Sequence, residues 1–301
     1  MFLKIGIDLG GSHIAIGVVD FNSRDLIVEK IEKRLLNEEK ENIKKSIEDY
    51  IIQNVEVIKN KYIITDVGIA IPGTLNATGI VKSVNLGVAN YDIVDILQSQ
   101  INLPVKIIND ANAAALAESR FGCLQNYSRS LFLTLGTGIG GATIIDGELL
   151  HTGELPGCEF GHMVIHKGGK ECNCGNKGCF EKYASMKILK NNLRKELGLD
   201  ETTRGQILLD MIREDVNNPI INRVVDEFID DLSIGISNLV NIFEPEAIGI
   251  GGSFVYFADV LLDKLKQNIG KYLFNKRENI VILPAILGND AGIVGASIVL
   301  Q

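Results

Sequence analysis

His162, Cys172, Cys174 and Cys179 stand in the pattern H-x9-C-x-C-x4-C, with Gly175 and Gly178 inside the tight loop between the thiols. Thiolates and an imidazole are the donor set of tetrahedral Zn²⁺, and four protein ligands make a closed, structural site, not a catalytic one. His166 is a rival fourth ligand and His151 a weaker one. The three clustered thiols lie too close together for the disulfide network of a small secreted domain. Cys123 and Cys158 read as ordinary buried thiols.

Two glycine-rich corners could hold anions. The first is Asp8-Leu9-Gly10-Gly11-Ser12. Glycines let backbone N–H groups approach a phosphate without a Cβ in the way, and the flanking carboxylate can hold a hydrated Mg²⁺. The second, Gly136-Thr137-Gly138-Ile139-Gly140-Gly141, repeats that chemistry with a hydroxyl at Thr137. Either alone is also a plain hairpin turn. Together, in two halves of one chain, they are what a cleft gripping a nucleoside triphosphate requires. Neither fits a P-loop, which needs a lysine, nor the Rossmann G-x-G-x-x-G at a strand-to-helix turn.

Asn109-Asp110 ends an apolar strand at the mouth of a helix. A carboxylate there can accept the proton of an attacking hydroxyl, as phosphoryl transfer to an alcohol needs. By itself the pair is an ordinary helix start, with Asp110 placed as the cap; the neighbouring phosphate corners turn the reading towards catalysis. Glu159 and Glu181 flank the metal loop. Carboxylates accept hydroxyl protons, and a metal-bound imidazole can still donate its other N–H, so this neighbourhood suits a polyhydroxylated ligand. Two solvated glutamates would be the plain alternative.

The elements that must position these groups follow from periodicity. Residues 4–8 and 14–20 predict two strands joined at Gly10-Gly11-Ser12. Apolar residues at 43, 47, 51, 55 and 58 predict a helix within 38–61. A short strand over 65–71 stops at Pro72-Gly73, a helix follows over 91–100, a buried strand over 105–108, and a strongly helix-forming run begins at Asp110. The first part of the chain should therefore form a mixed sheet with helices. Strands over 130–135 and 141–145 around the second glycine corner echo the opening, as in an internal duplication. Helices near 180–195, 203–213 and from Pro219 to about Phe243 follow. A strand over 247–250 leads into Gly251-Gly252-Ser253, then come a helix over 256–270, a strand over 281–283 and a small-residue helix from Asp290.

The chain has 301 residues and a formal net charge of −8, from 38 acidic against 30 basic residues. That field repels a phosphate backbone, which argues against nonspecific nucleic-acid binding. The N-terminus meets Lys4 and Asp8 too soon for a secretory signal. The longest apolar stretch, 131–145, is broken by threonines and glycines and falls short of the roughly 20 residues a bilayer span needs. A soluble, cytoplasmic protein without membrane or nucleic-acid partners is expected.

Asp-Leu-Gly-Gly-Ser, Asn-Asp-Ala-Asn, Leu-Gly-Thr-Gly-Ile-Gly-Gly, Glu-Phe-Gly-His and Cys-Asn-Cys-Gly-Asn-Lys-Gly-Cys-Phe-Glu occur in order along the chain. Together they resemble the ROK family of repressors and sugar kinases. The resemblance implies an α/β, two-domain actin–hexokinase-like fold with a repeated ribonuclease H-like motif. The small domain would comprise 1–118 plus 290–301, the large domain 119–289, with a zinc loop over 157–182. ATP, Mg²⁺ and structural Zn²⁺ are the implied cofactors, a hexose the acceptor, and a homodimer or homotetramer the assembly.

By position, the resemblance makes Asp110 the general base and Asn109, Glu159, His162 and Glu181 sugar contacts, with Gly73 and Asn85. Asp8, Gly10, Gly11, Ser12, His13, Gly136, Thr137, Gly138 and Gly140 match the phosphate grips, and Gly252 matches a glycine near the adenosine. His162 with Cys172, Cys174 and Cys179 matches the zinc ligands. The chain departs from the family pattern in having Ser12-His13 in place of the common Thr-Lys, which makes the cation at position 13 conditional on pH. Asn85-Leu86-Gly87-Val88 lacks the proline and aromatic of many glucose-phosphorylating members. Family repressors carry a helix-turn-helix ahead of the first corner, and Asp8 arrives too early for one. The implied activity is phosphorylation of a hexose, glucose first, at its 6-hydroxyl. An N-acetylmannosamine or N-acetylglucosamine kinase, a sugar-sensing regulator without catalysis, and a zinc-stabilised interaction module are the alternatives.

Overall fold

The computed structural model describes residues 3–11, 13–35, 42–75, 79–83, 86–150, 158–274 and 280–299. Contacts divide the chain into two units: Met1–Phe121, Glu148–Gly157 and Asn289–Gln301 form the first, and Gly122–Gly147 with Cys158–Gly288 the second.

The first stretch carries β1 (Leu3–Leu9), β2 (His13–Val19), β3 (Ile27–Arg34), α1 (Ile43–Lys59), β4 (Ile64–Ile71), β5 (Thr74–Leu75), β6 (Val81–Ser83), β7 (Val88–Tyr91), α2 (Ile93–Ile101), β8 (Val105–Asn109) and α3 (Asp110–Phe121). The second runs through β9 (Arg129–Leu135), β10 (Ile139–Ile145), β11 (Glu148–Leu149), α4 (Glu181–Ala184), α5 (Met186–Glu196), α6 (Gly205–Glu214), α7 (Pro219–Phe243), β12 (Ala247–Gly252), α8 (Ala258–Ile269) and β13 (Val281–Pro284). The last helix is α9 (Ala291–Ile298). No helix among the described residues is long and apolar enough to cross a membrane.

The first unit is built on a sheet of order β3-β2-β1-β4-β8. β1 and β2 make the expected antiparallel hairpin, while β4 and β8 join in parallel. α1 buries Ile47, Ile51, Val55 and Ile58, the face its period predicted. Against the other expectations, Tyr91 ends β7, and the helix starts two residues later, where Asp92 accepts a hydrogen bond from the N–H of Asp95. α9 lies directly on the sheet. The carbonyls of Ile293 and Ala296 occupy the space where side chains at Gly6 and Gly68 would begin, so glycine is what allows that approach.

In the second unit β10 and β9 form an antiparallel hairpin, β12 runs parallel to β9, and β13 parallel to β12. This repeats the pairing of β2, β1, β4 and β8, and the duplication read from the sequence is a repeat of strand connectivity. α7 opens with Asn218 capping the N–H groups of Ile220 and Ile221 and with Pro219 in its first turn. Its apolar stripe, from Ile221 to Val240, packs into the unit's core with Phe180 and the inner face of the sheet. Gly235 on that stripe is filled by the ring of Phe180, which sits immediately after Cys179, the last cysteine of the three-thiol loop. Packing of the long helix therefore fixes one end of that loop.

Candidate functional site

The carboxyl ends of the parallel strands in the first unit gather several of the expected groups, the usual position for a ligand site in α/β sheets. Asp8 pairs in register with Ala70, and Ile71 with Asn109. The Asn109 side-chain oxygen accepts the N–H groups of Ala111 at 2.9 Å and Asn112 at 3.2 Å. Asn109 is thus the cap of α3, a correction to the expectation that Asp110 would cap it. Asp110 shares the N–H of Ala111 at 2.9 Å and is exposed at the first turn of the helix. A carboxylate there is favoured by the helix dipole. The Asn109 amide also donates to the carbonyl of Gly73 at 3.0 Å. Gly73 has φ +120 and rests on the backbone of Lys82 and Ser83, a position open only to glycine. Gly73, Asn109 and Asp110 are therefore one linked cluster. Asn85 lies outside the described residues.

At the first corner the N–H of Gly10 donates to the carbonyl of His13 at 2.9 Å. The His13 ring folds over Gly10, where a Cβ would lie 2.5 Å from Nδ1. Its Nε2 stands 3.9 Å from the Asp8 carboxylate. That carboxylate raises the pKa of His13 above the ordinary 6.5, and Glu32 adds to the effect, while partial burial and Lys30 oppose it. The other face of Asp8 abuts Gly292 in the first turn of α9. Gly11 is exposed, and Ser12 lies outside the described residues.

The second corner closes with the N–H of Gly136 on the carbonyl of Gly138 at 3.0 Å, leaving Thr137 exposed. Gly140 lies within β10, opposite Thr134. The Gly136 carbonyl accepts the N–H of Lys187, so the start of α5 is bonded to the corner at 3.1 Å. Gly252 ends β12 with φ +70, and a Cβ there would come within 2.6 Å of the Leu135 carbonyl. The same carbonyl accepts the N–H of Phe254 at 3.2 Å. Two glycine bends therefore meet at the end of β9.

Ligand atoms of His162, Cys172, Cys174 and Cys179 all lie within 4.8 Å of one another. The Cys174 and Cys179 sulfurs are 3.6 Å apart, and the Cys172 sulfur is 3.7 Å from His162 Nδ1. Donors about 2.3 Å from one ion at tetrahedral angles lie about 3.8 Å apart, so the set fits Zn²⁺. The N–H of Asn176 lowers the Cys174 thiol to about 7, while burial pushes Cys179 up to about 12 and raises Cys172. A metal ion taken up by these thiols would release protons, and its affinity would rise with pH.

His166, the rival ligand, is not in the cluster. Its Nε2 pairs with Asp231 of α7 at 2.6 Å, and its ring lies 4.3 Å from that of Tyr183. That pair ties the cysteine loop to the long helix. His151 lies outside the described residues. Cys123 and Cys158 are half-buried, less enclosed than expected, with the Cys158 sulfur 3.5 Å from the Thr143 hydroxyl.

Of the two glutamates, Glu159 is exposed beside the short 3-10 turn Phe160–His162. Glu181 is half-buried, with one oxygen 3.4 Å from the Cys172 sulfur and the other over Gly138. It bridges the metal cluster and the second glycine corner. Sequence reasoning missed Asp231 and Lys190, because each acts through a partner far along the chain; Lys190 donates to the Ser253 hydroxyl at 3.3 Å.

A model of the ROK family matches residues 4–301. The chain is 31% identical to a glucokinase of Thermotoga maritima, over 99% of this chain and 96% of that protein. It is 31% identical to a xylose repressor of Caldicellulosiruptor bescii, over 90% of this chain and 70% of that one. A ROK family glucokinase from Streptomyces griseus, solved in complex with glucose and AMPPNP, superposes with a TM-score of 0.80 at 29% identity, covering 99% of this chain and 98% of its own.

Proposed function

We propose that this chain, which belongs to the ROK family, is an ATP-dependent hexokinase that transfers the γ-phosphate to the 6-hydroxyl of glucose. The observation that carries the reading is at α3: Asn109 caps the helix, and the exposed carboxylate of Asp110 stands beside it, linked through Asn109 to Gly73. Asp110 takes the proton of the attacking hydroxyl. Asn109, Gly73, Asn85, Glu159, His162 and Glu181 are the proposed sugar contacts. Gly10, Gly11, Ser12, His13, Gly136, Thr137, Gly138 and Gly140 grip the phosphates, and Gly252 lies by the adenosine. Mg²⁺ would be held by the phosphates, with Asp8 reaching it through water, and would offset their charge. Zn²⁺ on His162, Cys172, Cys174 and Cys179 would fix the loop that presents Glu181. A soluble cytoplasmic homodimer or homotetramer completes the proposal.

Turnover with MgATP across glucose, mannose, fructose, N-acetylglucosamine and N-acetylmannosamine tests it. Glucose should give the highest kcat/KM; an N-acetylhexosamine ahead of glucose would assign the chain to that kinase class. The xylose repressor relative supports a second reading, a sugar-binding regulator. A regulator would bind sugar with no MgATP-dependent turnover of any member of the panel.

A further inference from the structure

A hollow of about 240 Å³ in the second unit is lined by Lys190, Gly205, Gln206, Leu209, Tyr256 and Phe257. Tyr256 is 62% exposed, while Phe257 is buried behind it. Aromatic faces, a leucine and a carboxamide are the usual lining for a planar base. Lys190 adds the one cation. Its Nζ bonds to the Ser253 hydroxyl at 3.3 Å and lies 5.4 Å from the centre of the Phe257 ring. Its stem fits against Gly205 at the start of α6, where a Cβ would lie 3.3 Å from Cε. The ammonium is thus held in place before any ligand arrives, and little side-chain entropy remains to be lost on binding.

Among the described residues no carboxylate lies within ion-pair distance of Lys190, nor of its neighbour Arg194, whose guanidinium is spent on the Thr203 carbonyl and on Asn191. Burial, with Arg194 nearby, lowers the pKa of Lys190. A half-buried cation without an acidic partner is costly to keep unless an anion visits it. Position names the anion. Lys190 lies one helical turn beyond Lys187, whose N–H holds the Gly136 corner, and its ammonium touches Ser253 beside the Gly252 bend. It therefore stands between the hollow and the two glycine bends. In a nucleotide, the ribose and the α-phosphate lie between the base and the outer phosphates, and of the two only the α-phosphate is an anion.

We propose that Lys190 is a nucleotide-contacting residue whose ammonium binds the α-phosphate of the phosphate donor at the mouth of this hollow. The assignment rests on the kinase reading for its substrate, but it can be tested without turnover. AMP carries the α-phosphate and no other, so it is the probe. In the parent protein AMP should raise the melting temperature, and in Lys190→Met that protection should disappear. KM for MgATP should rise tenfold or more, KM for the sugar should stay within twofold, and Lys190→Arg should restore most of both donor effects.

The assignment is overturned if AMP does not protect the parent, or if Lys190→Met is protected as well as the parent. A rise in the KM for MgATP with AMP protection intact would also overturn it, by placing the cation on the outer phosphates. A rise in sugar KM matching that for MgATP would mean general loosening, and equally ends it. If AMP protects the parent through Lys190 yet no sugar is phosphorylated, the kinase reading fails and the nucleotide site stands.

Discussion

The carboxylate of Glu181 fills the place where a side chain at Gly138 would begin, and a Cβ there would lie 2.5 Å from Oε2. Gly138→Ala must therefore push Glu181 aside. The other Glu181 oxygen rests on Cys172, and the displacement should reach the proposed sugar contacts without removing a proposed metal ligand. We expect KM for the sugar to rise about tenfold, as for loss of one charge-assisted hydrogen bond, with zinc content unchanged by elemental analysis. An unaltered sugar KM would show that Glu181 does not touch substrate.

Asp110→Asn should lower kcat by about 10²–10⁴-fold, the range for a lost general base, with sugar affinity by calorimetry within a few-fold. Asn109→Ala removes the cap and the tether to Gly73 together. Stability should fall by about 1 kcal/mol from the cap alone, seen as an earlier midpoint in urea.

His13 gives a pH dependence of known sign. Its folded-state pKa is raised by Asp8, so the charged ring is favoured in the native chain. That stabilisation is present in full below the ordinary 6.5 and is lost as pH rises through the raised value. The corner loses its cation over the same interval. Besides Asp8, the charged neighbours are Glu32 and Lys30 of β3, with Arg34 as the register partner. KM for MgATP should climb several-fold as pH rises from below the ordinary 6.5 through the raised value, and His13→Lys should flatten the profile. A parent profile already flat would remove the role.

Cys174→Ser should release the metal, lower the melting temperature and weaken sugar binding at once, since one loop carries cluster and Glu181. His162→Ala should also lose zinc. His166→Ala should retain it, because that ring is committed to Asp231, while lowering the melting temperature. Zinc per chain, measured on all three, separates the two histidines.

Much of this arrangement was readable in advance, for physical reasons. Glycine corners and thiol spacing are local, and α7 announced itself through Asn218, Pro219 and a sustained apolar stripe. β3 went unseen because it is a charged strand, Ile-Val-Glu-Lys-Ile-Glu-Lys-Arg, whose period of two was present but diluted by polar residues. β5, β6 and β7 are too short to leave a period. Asn109 and Asp110 are equally good caps by type, and only the backbone decides between them. His162 and His166 had the same ambiguity, resolved by a partner on α7 that spacing does not show.

The bare contact of α9 with Gly6 and Gly68 carries a consequence for assembly. The helix that covers the first sheet is translated after the whole second unit, and its anchor points lie most of a chain length upstream. During synthesis the β1–β4 surface must wait, with its apolar face uncovered, while later segments emerge. Refolding should accordingly be limited by the docking of α9, and substitutions at Gly6 should slow that late phase while leaving earlier ones untouched.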